Sequence, residues 1–230
     1  MNAAAERIKD LLWPRVCAVG GCGRKPEDPG SHVCRRCMAG MPWYDEFAHG
    51  AFAYLSPLPE LISAFKFGGA VHLAADLARA METSFRRKHD ASAVDLVVPV
   101  PLHPNRLRER GYNQSGLLAA ELAGRLGRAH DCDSLARIRD TEHQSRSSGA
   151  ERRRNLKGAF RVVRPPAIRG RTVLLVDDVM TTGETMRECA QALSAGGAYK
   201  VVPFVVAKAL MDEDVDPPPV RRGAPGTAHL

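Results

Sequence analysis

Val173-Leu174-Leu175-Val176-Asp177-Asp178-Val179-Met180-Thr181-Thr182-Gly183-Glu184-Thr185 runs four apolar residues into two adjacent carboxylates and then into a Thr/Gly turn. The apolar run reads as a central parallel strand with both faces covered. Asp177 and Asp178 then fall at its carboxyl end, where open α/β sheets bind ligands. The turn offers the hydroxyls of Thr181, Thr182 and Thr185. It also opens a helix, whose first backbone N–H groups lack intrahelical partners and make an anion site. Gly183 lets the backbone approach a ligand closely. The spacing of Met186, Ala190 and Leu193 predicts a helix from Glu184 to about Ala195, ended by Gly196-Gly197. Paired carboxylates beside such a cradle suit a sugar phosphate.

With 230 residues, 44% of them hydrophobic, the chain has enough apolar surface for one α/β domain with a small appendage. No apolar run approaches the roughly 18 residues of a membrane span. Met1 to Asp10 is charged rather than signal-like, so the expected location is cytoplasmic. The net charge of +7 is local: His103 to Arg171 holds 16 Lys/Arg against 7 Asp/Glu, a net +9, and the remainder is slightly acidic. A local excess of this kind points to an anionic ligand, either a polyphosphate or a nucleic acid backbone.

Six cysteines in a chain without an export signal argue for metal or reduced thiols rather than disulfides. Cys17, Cys22, Cys34 and Cys37 cluster in a segment rich in Gly and Pro and too poor in apolar residues to build its own core. Cys34-x-x-Cys37 has the spacing of a zinc knuckle, and Cys17-x4-Cys22 falls within tolerated spacing for the other half of a tetrahedral Zn²⁺ site. Such a site supplies the folding free energy the segment otherwise lacks. The alternative is four free thiols in a loop. His32 is a candidate to replace one cysteine ligand, but a lone histidine near a knuckle is more often a solvated neighbour and is read as one; Cys132 and Cys189 are read as core or surface thiols.

Outward from these motifs, Ile8, Leu11 and Leu12 predict a short amphipathic helix. Phe47 to Leu55 reads as a strand or two, Pro57 to Phe65 as a helix start, and His72 to about Phe85 as a helix on Leu73, Leu77 and Met81. Asp95 to Val100 is a buried strand running into a proline-stiffened loop, Gln114 to Leu126 is a helix on Leu117, Leu118, Leu122 and Leu126, and Val201 to Ala207 is another buried strand. Met211 to Leu230 has the composition of a disordered tail. Arg106, Arg108 and Arg110 follow the carboxyl end of the Asp95 strand, which puts three guanidinium groups on the sheet edge that carries Asp177. A polar run from Arg137 to Phe160 is expected to be a solvated connection or, if functional, a lid over a phosphorylated ligand.

The stretch from Val173 to Thr185 resembles the ribose-phosphate motif of type I phosphoribosyltransferases. The resemblance implies that Asp177 and Asp178 hold the ribose hydroxyls of phosphoribosyl pyrophosphate, that Thr181, Thr182, Gly183, Glu184 and Thr185 hold its 5′-phosphate, and that Mg²⁺ sits on the pyrophosphate. Where the hypoxanthine-guanine enzymes carry an Asp facing the purine, this chain has Thr181, so a general base is missing there. More widely, the cysteine-rich finger, Val98-Pro99-Val100-Pro101-Leu102, Arg110-Gly111-Tyr112-Asn113-Gln114, Thr141-x-x-Gln144, Arg154-Asn155-x-x-x-Ala159-Phe160 and the Asp177 motif occur in the order of the ComF/GntX family, which they resemble.

That second resemblance implies an α/β fold: an open, mostly parallel twisted sheet flanked by helices, with a small N-terminal zinc finger. Residues 1–45 form the helix and finger, 46–210 the phosphoribosyltransferase-like domain with a hood at about 47–90, and 211–230 the tail. It ties the role to natural competence and DNA utilisation. Three functions follow: phosphoribosyl transfer, with nucleobase or nucleotide salvage as one form of it; binding of single-stranded DNA within the uptake machinery; or phosphoribosyl pyrophosphate sensing without turnover. For transfer, Val100, Pro101, Arg106, Arg108 and Arg110 are the pyrophosphate candidates; for DNA, Tyr112, Arg152, Arg153 and Arg154 are the candidates.

Overall fold

The structure is a computed structural model that describes residues 15–140 and 156–210. The expected helix at Ile8 to Leu12, the Thr141 and Gln144 motif, Arg152 to Asn155 and the 211–230 segment lie outside the described residues. The main sheet is built from β1 (Gly50–Ala53), β2 (Leu96–Pro99), β3 (Ala129–His130), β6 (Thr172–Met180) and β7 (Lys200–Lys208) in the order β1-β7-β6-β2-β3, every pair parallel. A separate antiparallel ribbon joins β4 (Leu135–Arg137) to β5 (Phe160–Val162). The helices are α1 (Arg35–Ala39), α2 (Leu58–Phe67), α3 (Leu73–Lys88), α4 (Pro104–Arg110), α5 (Gln114–Leu126), α6 (Pro165–Ile168) and α7 (Glu184–Ala195).

The central strand β6 is buried on both faces because its side chains alternate. Leu174 and Val176 join the core formed with α2, α3 and α5, whereas Val173 and Leu175 pack with Met186, Cys189 and Leu193 of α7. Each fully buried side chain of this size contributes about 1.5–3 kcal/mol. On the first face, Phe85 of α3 meets Phe204 of β7 edge-on, ring centroids 5.1 Å apart. The Lys88 ammonium at the end of α3 donates to the carbonyls of Tyr44, Phe47 and Gly50 at 2.6–2.9 Å, which fixes the chain leading into β1.

The cysteine segment packs on that same face: Cys17, Val33, Cys34 and Met41 share the core of α2 and α3. Its anchor is Asp76, 1% exposed on α3. The Asp76 carboxylate accepts from the Ser31 hydroxyl at 2.6 Å, from the His32 backbone N–H at 2.7 Å and from Arg79 at 2.6 Å. His32 is half-buried, its ring against His72 with centroids 4.2 Å apart, rather than a solvated neighbour.

The proline-stiffened loop after β2 is present at residues 100–103, and beyond it the structure adds helix α4, which the sequence reading did not include: Pro104 occupies its first turn, where proline is favoured, and Gly111, at φ +80°, ends it. The polar run from Arg137 is bounded by structure: Leu135, Ala159 and Phe160 are buried, and the β4–β5 ribbon lies over α7.

Candidate functional site

At the carboxyl end of β6 the two aspartates take different partners. Asp177 accepts a 2.6 Å hydrogen bond from the hydroxyl of Ser115, in the first turn of α5. Burial and the neighbouring Asp178 push its carboxyl up to about 7, although Ser115 and Lys66 pull the other way. Asp178 is 3% exposed and pairs through Oδ1 with the Lys66 ammonium of α2 at 2.8 Å. Its other oxygen, Oδ2, is buried and has no hydrogen-bond partner among the described residues. A buried carboxylate oxygen left unmatched costs about 1–3 kcal/mol or more, so this atom is poised to accept a hydrogen bond from a ligand.

Beyond Met180 the chain turns through Thr181 and Thr182, to Gly183 at φ +79°, the N-cap of α7. No described side chain caps α7, so its first N–H groups face the turn. The turn is braced from β7, where the Lys208 ammonium donates to the Thr181 carbonyl at 2.9 Å. Glu184 is held by Arg187 at 2.8 Å, and Thr185 is half-buried beside it. The expected phosphate loop therefore has the backbone of an anion cradle directly after the carboxylates.

On the other side, Val100 donates its N–H to the Val176 carbonyl at 2.8 Å, which lays the Val100-Pro101 turn beside Asp177. The Arg-Gly-Tyr-Asn-Gln motif holds this arrangement. The Asn113 amide donates to the Val100 carbonyl at 3.1 Å while its Oδ1 caps α5 through the Ser115 N–H at 3.1 Å. Arg110 donates to buried Gln114, and the Tyr112 hydroxyl donates to the Phe65 carbonyl. Tyr112 is thus half-buried and tied to α2. Arg106 and Arg110 line an open cleft of about 660 Å³ with Lys66, Phe67, Tyr112 and Asp140. Arg108 is exposed, bonded to Asn105, and does not line it.

The chain around the predicted lid is docked at both described ends. Asp140 accepts from the Asn105 amide at 2.6 Å and lies 3.1 Å from His103, so it is fixed to the start of α4. On the far side, the Gly158 N–H donates to Glu188 of α7 at 3.0 Å, and Arg137 lies over the Phe160 ring with its guanidinium carbon 5.6 Å from the centroid. Cys189 is buried in this layer and its thiol is pushed well up by burial, which makes it a core residue; Cys132 is exposed.

Cys17, Cys22, Cys34 and Cys37 come together, all four sulfurs within 4.8 Å of one another. Cys22 Sγ and Cys34 Sγ are 3.7 Å apart. A tetrahedral site with Zn–S bonds of about 2.3 Å has sulfur separations of about 3.8 Å, whereas a disulfide needs about 2.05 Å. The donor set therefore fits a divalent ion. The Cys17-x4-Cys22 loop turns through Gly21, at φ +73°, with Gly23, at φ +63°, directly after it, and the N–H groups of Cys34 and Cys37 point at the Cys17 and Cys34 sulfurs at 3.4 Å.

Sequence reasoning missed Ser115, Lys66, Phe67 and Asp76. For Lys66-Phe67-Gly68-Gly69 a signal was present, a helix end marked by two glycines; for Ser115 and Asp76 there was none.

The parallel sheet, with a carboxylate pair at the end of β6 and a turn into α7 after it, is accompanied by a match that gives the class, a phosphoribosyltransferase-type protein. A phosphoribosyl transferase domain is matched over residues 113–219. The DNA utilization protein YhgH of Salmonella typhimurium is 37% identical over 199 residues, covering 85% of this chain and 86% of that one. Competence protein F of Haemophilus influenzae is 33% identical over 194 residues, 83% of this chain and 84% of that one, and competence protein ComFC of Bacillus subtilis is 30% identical over 199 residues, 81% and 76%. The chain belongs to the ComF/GntX family. Among the described residues no helix is long and apolar enough to cross a membrane.

Proposed function

We propose that this protein binds phosphoribosyl pyrophosphate with Mg²⁺ and transfers its phosphoribosyl group, in a pathway of DNA utilisation or competence. The observation that carries the reading is the buried, unpartnered Asp178 Oδ2 directly before the Gly183 cradle. Asp177 and Asp178 accept hydrogen bonds from the ribose hydroxyls, and the Thr181 to Thr185 turn and the start of α7 hold the 5′-phosphate. Val100, Pro101 and Arg106 face the pyrophosphate, with Arg108 as an outer charge. Mg²⁺, when bound, neutralises pyrophosphate charge. The C1–O bond to pyrophosphate breaks with its electron pair leaving on pyrophosphate, the acceptor lone pair forms the new bond at C1, and the acceptor proton passes to solvent. The protein's part is electrostatic: it orients both partners and stabilises charge as C1 becomes oxocarbenium-like. Zn²⁺ on the four cysteines is structural.

A second reading, phosphoribosyl pyrophosphate sensing coupled to single-stranded DNA binding through Arg152, Arg153 and Arg154, is favoured by Thr181, which leaves no general base at that position, and by the relatives' names. In it Tyr112, tied to α2, serves as structure rather than as a base-stacking residue. A pyrophosphate-release assay with phosphoribosyl pyrophosphate, Mg²⁺ and a panel of bases, nucleotides and single-stranded DNA separates the two. Release with one acceptor class supports transfer; binding without release for every acceptor supports sensing.

A further inference from the structure

Phe67 is 75% exposed, unusual for a large aromatic ring, and it sits on the rim of the cleft. Its position is built. α2 ends at Phe67, capped by Gly68, whose N–H returns to the Ala64 carbonyl at 2.9 Å and which has no room for a Cβ: one would stand 2.9 Å from that same oxygen. Gly69 then turns away at φ +67°. The residue before Phe67 is Lys66, whose ammonium touches Asp178. The ring is therefore one position along the chain from a contact to the proposed ribose site.

The Arg110 guanidinium lies over the Phe67 ring, its central carbon 4.9 Å from the centroid, and one of its N–H groups donates to buried Gln114. A guanidinium held face-on to a ring, with one of its five N–H groups given to an amide, is positioned for stacking as well as for anion contact. An arginine plane and an aromatic ring at one cleft are the surfaces on which nucleobases stack. The cleft volume of about 660 Å³ lies within the range of small-molecule sites.

We infer that Phe67 and Arg110 form the platform for the acceptor, and that the acceptor is a planar heteroaromatic ring, a nucleobase either free or carried by a single strand. The assignment rests on the reading of Asp177 to Thr185 as the phosphoribosyl site, and it moves Arg110 from the leaving group to the acceptor. Arg106 keeps the pyrophosphate side of the cleft.

The probes are free 2-aminopurine and a short oligothymidylate ending in 2-aminopurine, whose fluorescence is quenched on stacking. Each is titrated into wild type, Phe67→Ala and Phe67→Tyr, and phosphoribosyl pyrophosphate with Mg²⁺ is titrated into the same proteins by calorimetry. Because Phe67 is largely exposed, its truncation leaves the core intact. Wild type should quench at least one probe saturably, Phe67→Ala should weaken that binding at least about fivefold, the low end of base–aromatic stacking, and Phe67→Tyr should restore it. The probe that binds identifies the source of the base. No saturable quenching of either probe, or equal affinity in Phe67→Ala, overturns the platform. If instead quenching depends on Phe67 while no protein binds phosphoribosyl pyrophosphate, the platform stands and the phosphoribosyl reading fails.

Discussion

Asp177 is the most sharply tuned group of the site. The unfolded chain releases its proton near the ordinary 3.8, whereas the folded protein holds it up to about 7 because burial and Asp178 oppose a second charge. Its contribution to stability is therefore complete below pH 3.8 and is lost as pH rises to about 7. Asp177→Asn should flatten the wild-type decline of melting temperature across that window, measured by thermal melts at a series of pH values. Binding of phosphoribosyl pyrophosphate needs the acceptor form of the carboxylate, so it should tighten as pH rises through about 7 and lose that dependence in Asp177→Asn. Asp76 is the counterpart at the finger. It is 1% exposed and ion-paired with Arg79 at 2.6 Å. Asp76→Ala removes the acceptor of the His32 N–H and one partner each of Ser31 and Arg79, which also bond Val33 and Asp28, and should cost about 1–3 kcal/mol, seen as a lower melting temperature and as early proteolytic release of the finger; an unchanged protease pattern would remove Asp76 as the anchor.

At the scale of elements, the turn between β6 and α7 depends on Gly183. Gly183→Ala places a side chain at φ +79°, where there is steric room but the left-handed backbone costs about 1–2 kcal/mol. The melting temperature should fall by roughly 2–8 °C, and inorganic phosphate should compete less well for the site. Long elements with one apolar stripe, α3, α5 and α7, and the continuous apolar runs of β6 and β7 were legible in the sequence because burial repeats along them. α4 was not, since it buries no residue and shows no stripe. β3, β4 and β5 are two or three residues long, too short for alternation to register. Gly50–Ala53 was legible as a strand, but its parallel pairing with β7 joins segments far apart in sequence. The motif residues of the site were legible as well. Their partners were not: Ser115 stands 62 residues from Asp177, and Asp76 45 residues from Ser31, and neither carries a local pattern.

Across the whole molecule, charge and ligand chemistry are segregated. The basic stretch from Arg106 to Arg171 begins at the cleft that gathers Lys66, Arg106 and Arg110. If this stretch also meets single-stranded DNA, affinity should fall steeply with salt, and replacing Arg152, Arg153 and Arg154 together by Ala should reduce the log–log salt slope by about 2, at about 0.7 for each phosphate no longer neutralised. Anisotropy with a labelled oligonucleotide reads this directly, and an unchanged slope would remove those three arginines from the DNA interface. The finger is a second independent unit of chemistry. Elemental analysis should find about one equivalent of zinc, the number a tetrahedral four-thiolate site takes, and Cys34→Ser should lower it together with N-terminal protease resistance. The assignment of a phosphoribosyl pyrophosphate site to the end of β6 underlies all of these functional readings. Calorimetry with phosphoribosyl pyrophosphate, with and without Mg²⁺, on wild type and on Asp177→Asn/Asp178→Asn probes that site itself. Binding should require Mg²⁺ and weaken at least about tenfold in the double variant, since hydrogen bonds to a charged group are worth roughly 1.5–3 kcal/mol each; equal affinity in the two proteins would contradict the assignment.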